Sequence, residues 1–400
     1  MLRSLRRVMW LVIPLVALAA LGCGDDDSTP GDDGGMNEGS DTPREDAGDV
    51  APDEATETPP DDAGEATADD AGDAPDDGAP PPTEDIHYSG RFDRSDPAAP
   101  SFEWSGTSIG ARFSGTGVSV TLDAQGQNFF EVVLDGTPSS VVETAWGEQT
   151  LSLATGLSAG EHDVLIVRRT EAFANAVTFR GFTVVGGAIV PSPLPWTHRL
   201  EFVGDSITAG YGAEGVGPSC SFSLDTESAY ASYASVAARA VNASAHLIAW
   251  SGKGVFQNYG GDTTEPMPSL YERTLPTDAS SVWDFSFQAE AVVINLGTND
   301  FSVSVDQATF ESAYSALILL VRSHHPAAAI YCIAGAIMNP TATAYITNAI
   351  AASGDANTHL LELPSVDPGE GWGCDYHPSA ASHARFGGLV ADRLRTDLGW

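Results

Sequence analysis

Positive charge is scarce in this 400-residue chain. Lys and Arg total 18 against 55 Asp and Glu, a formal net charge of −37. No basic patch interrupts the deficit, which excludes a protein built to neutralise nucleic-acid phosphates. Cysteine is also rare, at four residues. No CxxC or HExxH spacing occurs, so no zinc or other metal site is expected. Long apolar runs are absent too. The longest, Met9–Leu21, has 13 residues, whereas a spanning helix needs about 20.

That short run nevertheless has a purpose. Arg3, Arg6 and Arg7 precede it as a basic n-region, which together with the apolar run makes a targeting segment. It ends in Ala20-Leu21-Gly22-Cys23, which resembles a bacterial lipoprotein cleavage box with Cys23 as the lipidated first residue. Residues 1–22 are then the signal peptide. The resemblance implies an exported lipoprotein of the cell envelope, held to the membrane through Cys23; ordinary secretory cleavage near Gly22 is the alternative, and either way the mature protein is expected to be exported.

From Gly24 to Asp85 the chain is mostly Asp, Glu, Gly, Ala, Pro and Thr, with 23 acidic residues and one basic, Arg44. This tract carries 22 of the 37 net negative charges and has no apolar periodicity. It cannot bury enough surface to offset the entropy of ordering. Residues 23–85 are therefore expected to be a disordered, self-repelling tether behind the lipidated cysteine.

Residues 86–190 alternate apolar and polar in short runs separated by turn signals. Examples are Ser101–Trp104, Gly117–Leu122, Phe129–Leu134, Asp163–Val167 and Thr178–Val185, with Asp135-Gly136 as a hairpin turn. Such spacing predicts an all-β jelly-roll sandwich. Val190-Pro191-Ser192-Pro193-Leu194-Pro195 reads as a stiff linker and domain boundary. Beyond it, in residues 191–400, strands alternate with helices. Strands are predicted at 198–203, 245–250, 291–296, 329–334 and 359–363, with helices at 227–241, 307–324, 342–352 and 379–397. This pattern predicts an α/β domain of three layers around five parallel strands.

Ligand sites in such sheets lie outside the carboxyl ends of the strands. Four polar pieces fall there. Ser206 follows the first strand in Gly204-Asp205-Ser206. Ser251-Gly252-Lys253-Gly254 follows the second. Gly297-Thr298-Asn299-Asp300 follows the third. Asp375-Tyr376-His377-Pro378 opens the last helix. Acyl transfer needs these residue types. Ser206 Oγ needs a base, and His377 is a candidate. The oxyanion needs fixed donors: the Ser206 N–H, the Gly252 N–H with Gly254 as alternative, and the Asn299 amide. Asp375 is expected to hold His377 by its side chain. Trp250, Asn258, Tyr259 and Trp372 are candidates for a sugar-binding rim. Cys220 and Cys374 lie in loops near these residues, and a Cys220–Cys374 disulfide is expected. Cys332, in an apolar strand, is expected to be an inert buried residue.

The four pieces resemble the blocks of the SGNH (GDSL-type) hydrolase superfamily, with Ser206, Gly252, Asn299 and His377 in the four named positions. The phrases Phe202–Gly212, Trp250–Gly254 and Gly373–Pro378, together with a β-sandwich ahead of the hydrolase domain, resemble carbohydrate esterase family 2 more narrowly. The resemblance covers residues 86–400. It implies removal of O-acetyl groups from plant-type polysaccharides such as acetylated xylan or glucomannan, without a cofactor, by a monomer. The superfamily spacing is Asp-x-x-His, but Cys374 stands three before His377 and the acid is Asp375. Some family members have Asp-x-His; others resemble a Ser–His dyad with a backbone carbonyl on the histidine. Two other readings remain: a lipid or thioester hydrolase of the same superfamily, and a non-catalytic carbohydrate-binding lipoprotein.

Overall fold

The structure, a computed structural model, describes residues 83–400. The signal peptide, Cys23 and nearly all of the acidic tract lie outside the described residues. Among those described, no helix is long and apolar enough to cross a membrane.

The first part is an eight-stranded antiparallel sheet that curls over on itself. Its frame is β1 (Ser108–Ala124), β2 (Asn128–Leu134), β3 (Thr137–Thr144), β4 (Gly147–Arg168) and β5 (Val177–Val185). Two of these strands, β1 and β4, are far longer than the sequence reading supposed. They stay paired along their length because register shifts at Gly115–Gly117 and Val118–Ser119 let them bend. One hydrogen-bonded sheet thereby supplies both layers expected of a sandwich. Phe102, Phe113, Val120, Phe130, Val132 and Ile166 fill its interior. The β2–β3 hairpin turns at Asp135-Gly136, both at positive φ (49° and 75°), the twist that such turns need.

The second part is a parallel sheet in the order β7-β6-β8-β9-β10. Its strands are β6 (His198–Gly204), β7 (Ala243–Ala249), β8 (Ala291–Asn295), β9 (Ala329–Gly335) and β10 (Thr358–Leu363). The central strands read Val-Val-Ile and Ile-Tyr-Cys-Ile because both faces are covered. Helices α2 (Gln307–His324) and α3 (Pro340–Ser353) cover Val203, Ile248, Val292 and Ile330. Helices α1 (Tyr233–Ala240) and α4 (Ala380–Leu398) cover Leu200, Phe202, Val293 and Tyr331 on the other face.

The helix expected over 227–241 starts only at Tyr233. Ser232 caps it by accepting from the Ser235 N–H, while Glu227 and Ser228 are buried in an irregular turn. Cys332 is free and buried, as its strand position predicts.

The proline-rich segment separates two sheets but not two loosely joined bodies. Arg91 of the β part donates to Glu201 in β6 at 3.1 Å, and both side chains are fully buried. Tyr271 donates to the same carboxylate at 2.6 Å, and His325 lies 3.2 Å from it. Those contacts hold Glu201 ionised against burial, down to about 2. Breaking one partner of such a buried pair typically costs about 3–5 kcal/mol.

Candidate active site

Ser206 sits at the carboxyl end of β6, on the first residue of a single helical turn, Ser206–Ala209. Asp205 caps that turn, accepting from the Ile207 N–H at 3.0 Å. Gly204 makes the turn possible: a Cβ there would lie 2.0 Å from Thr208 Oγ1. The serine is 6% exposed.

His377 arrives from the segment before α4. Its Nε2 is 2.8 Å from Ser206 Oγ. Its Nδ1 is 3.2 Å from the backbone oxygen of Asp375. A carbonyl only accepts, so Nδ1 carries the proton and Nε2 is left as the base facing the hydroxyl. Burial lowers the His377 pKa below its ordinary value, with the backbone contacts of Asp375 and Cys374 opposing.

The expected side-chain role of Asp375 is therefore corrected. Its carboxylate points away, accepting from Tyr211 Oη and the Phe222 N–H, each at 3.0 Å. Asp375 and Tyr376 both adopt left-handed backbone, φ 50° and 59°. That turn aims the 375 carbonyl, not the carboxylate, at the imidazole. The turn is tied down by the expected disulfide Cys220–Cys374 and by backbone bonds from Cys374 N–H to Gly212 and from Asp375 N–H to Cys220.

The loops after β6, β7 and β8 are brought together. The Asn299 amide donates to Lys253 O at 2.8 Å and reaches Asp205 Oδ2 at 3.2 Å, which links three strand ends. An oxyanion would compete for the longer of these two bonds. Asp205 is fully buried; burial, then the charges of Asp300 and Glu171, push its pKa up to about 7.

Between the two candidate glycines the structure favours Gly252. Its φ is +79°, a conformation that suits glycine, and among the described residues its N–H has no acceptor. The Gly254 N–H is taken by Asn258 Oδ1 at 3.3 Å, and a Cβ there would lie 1.9 Å from Gln257 O. Gly254 is a packing glycine.

The proposed sugar rim is corrected at one position. Asn258 is buried, and its amide is spent on Gly254, Thr264 O and Asp262. It braces the loop, with both amide hydrogens committed to protein acceptors. Tyr259 is 72% exposed and follows Gly252 in space, its N–H donating to Gly252 O at 2.8 Å. Trp250 and Trp372 are half-buried against the two cores.

Sequence reasoning missed several neighbours. Tyr211 lies face to face with Phe222 at 4.1 Å and beside the His377 ring at 4.4 Å. Phe173 of the β part meets Phe222 edge-on at 5.8 Å. Exposed Tyr376 adjoins the histidine. Asp300 accepts the N–H groups of Val255, Phe256 and Gln257 at 2.8–3.0 Å and fixes that loop. Tyr211, Tyr376 and Asp300 stood inside the quoted motifs; Phe173 and Phe222 carried no signal. Among the described residues no acidic, His or Cys cluster forms a metal site.

Residues 88–193 match the carbohydrate esterase 2 N-terminal model, and residues 202–385 match the GDSL-like lipase/acylhydrolase model. A family two carbohydrate esterase from Clostridium thermocellum, solved with cellohexaose, is 40% identical. The alignment covers 79% of this chain and 99% of that one, with a TM-score of 0.76. The chain belongs to carbohydrate esterase family 2. Among curated relatives, the cellulase/esterase CelE of Acetivibrio thermocellus is 40% identical over 331 residues. That match covers 80% of this chain but only 40% of the relative, so the chain spans about two fifths of that enzyme's length. An acetylxylan esterase / glucomannan deacetylase of Cellvibrio japonicus is 27% identical, covering 79% of this chain and 89% of its own.

Proposed function

We propose that this family 2 member is a serine esterase that removes O-acetyl groups from plant-type polysaccharides, with Ser206 as nucleophile and His377 as base. The observation that carries the reading is the 2.8 Å contact of Ser206 Oγ with His377 Nε2; among the described residues the backbone N–H groups of Ser206 and Gly252 have no acceptor. Relatives named as acetylxylan esterase / glucomannan deacetylase, and one solved with cellohexaose, point to the substrate class.

The Ser206 proton moves to His377 Nε2 as Oγ bonds to the acetyl carbonyl carbon. The resulting oxyanion is held by the Ser206 and Gly252 N–H groups and by Asn299. One such donor lowers the barrier by about 3–4 kcal/mol. The carbon–oxygen bond to the sugar breaks, and the sugar oxygen takes the proton from His377. Water then attacks the acetyl-serine, giving its proton to His377, and acetate leaves as Ser206 is reprotonated. The Asp375 carbonyl stabilises the transient imidazolium as a dipole.

Hydrolysis of 4-nitrophenyl acetate, butyrate and octanoate by the full chain and its Ser206→Ala variant tests this. Acetyl preference with a dead variant supports it, and acetate release from acetylated xylan and glucomannan follows. Octanoyl preference would move the protein to the lipid esterases; equal activity in the variant would remove Ser206.

The same proposal places the monomeric body on a lipid anchor at Cys23, held off the envelope by the acidic tether. Cys23→Ala should shift the protein from the membrane to the soluble fraction.

A further inference from the structure

The turn after β4 carries the β part into the candidate site. Glu171, in the turn after β4, is fully buried. Its two carboxylate oxygens accept from the Ser251 N–H and the Ser251 hydroxyl. Ser251 immediately precedes Gly252. We propose that Glu171 is a positioning residue of the oxyanion hole, delivered by the β part to fix the Ser251–Gly252 peptide so that the Gly252 N–H points at the reacting carbonyl. The inference rests on the esterase reading above.

The geometry leaves Glu171 little freedom. Buried Arg168 donates to the carbonyls of Thr170, Glu171, Asn175 and Phe102 at 2.7–3.0 Å, wrapping the 170–175 turn around its guanidinium. Thr170 Oγ1 donates to Asn128 Oδ1 at 2.9 Å. Ala229 N–H donates to Arg169 O at 3.0 Å, which clamps the turn to the hydrolase part. The Glu171 N–H itself donates to buried Glu227 at 3.1 Å.

Charge completes the device. Burial, then the neighbouring charge of Glu171, pushes Glu227 well above the usual carboxylate range. Burial also raises Glu171, and the bonds it accepts from Ser251 oppose that rise. With Ser251 held at both its N–H and its side chain, and Gly252 O held by the Tyr259 N–H, the intervening peptide has one orientation. Fixed donors in a dry site stabilise developing charge without reorganising.

The test uses the full chain and its Glu171→Ala, Glu171→Gln, Ser251→Ala and Ser206→Ala variants. Three quantities are read with 4-nitrophenyl acetate: kcat, KM, and inhibition by ethylboronic acid, which forms a tetrahedral, anionic adduct on a serine. Glu171→Ala should lower kcat about tenfold or more, leave KM within about twofold, and weaken boronate inhibition by the same factor as kcat. Glu171→Gln, whose amide oxygen still accepts from the Ser251 N–H, should recover most of that loss. Ser251→Ala, which keeps the N–H contact, should cost about threefold in kcat and in boronate inhibition. It decides the matter if Glu171→Ala does not fold. Unchanged kcat and boronate inhibition in the folded variants would overturn the proposal, as would a change in KM alone. If Ser206→Ala is dead while these variants are unaffected, only the positioning role fails. If Ser206→Ala stays active, the esterase reading itself fails.

Discussion

The two halves of the Ser206–His377 pair are held by different means. The serine half is buried: Gly204, Asp205, Ser206, Ile207 and Thr208 are all shielded from solvent, and the turn is set by close packing on β6. The histidine half lies nearer the surface, in a turn with two left-handed residues, a disulfide and a few backbone bonds. Core packing fixes one reactant, and covalent and backbone constraints fix the other. Changes that disturb the packing of the serine half should therefore harm folding and catalysis together. Changes to the histidine half act on catalysis through the crosslink and backbone bonds that hold its turn.

The largest effect tests the chemistry common to both halves. Ser206→Ala and His377→Ala should each lower kcat for an acetyl ester by about 10³-fold or more, with Tm nearly unchanged. Gly204→Ala sharpens the comparison from the buried side. The added Cβ collides with Thr208, and overpacking of this kind costs about 1–3 kcal/mol. Thermal melts should show that loss alongside reduced turnover. On the other side, replacing both Cys220 and Cys374 with serine opens a crosslink spanning 154 positions. Such a loss costs about 2–5 kcal/mol, and kcat should fall about tenfold as the His377 turn loosens. Asp375→Ala should have a small effect, below about fivefold in kcat, because only its carbonyl meets the imidazole. A loss near that of His377→Ala would restore the carboxylate to the catalytic group. The subtlest outcome is the pH profile. Burial disfavours the imidazolium, so the neutral base survives to lower pH. The midpoint of kcat/KM on the acid side should lie below 6.5, the ordinary histidine value.

The serine half was also the more legible in the sequence. Leu200–Val203 is an apolar run, and Gly204-Asp205-Ser206 after it fixes a turn at a strand end. Asn299 and Gly252 were readable for the same reason, since parallel strands run their carboxyl ends to one edge. The Cys220–Cys374 bridge was readable from its place beside those loops. Asp375 misled because residue type does not reveal whether a side chain or a carbonyl faces the neighbour; that depends on φ at two successive residues. Asn258 misled because a polar residue beside a site may equally be turned inward to brace it. Glu171 was invisible. It stands 80 positions from Ser251, in the other sheet, and nothing in local periodicity marks it. The helix before β7 was overextended because its apolar pattern began before the Ser232 cap.

The Arg91–Glu201 pair carries a consequence for how such a protein can be assembled or taken apart. Cut between the two sheets, each fragment would face water with a cavity shaped around a missing counter-ion: Glu201 without its guanidinium, Arg91 without its carboxylate. Neither fragment is a portable module. The two segments matched by separate family models are expected to melt in a single calorimetric transition and to be transplanted into new architectures only together.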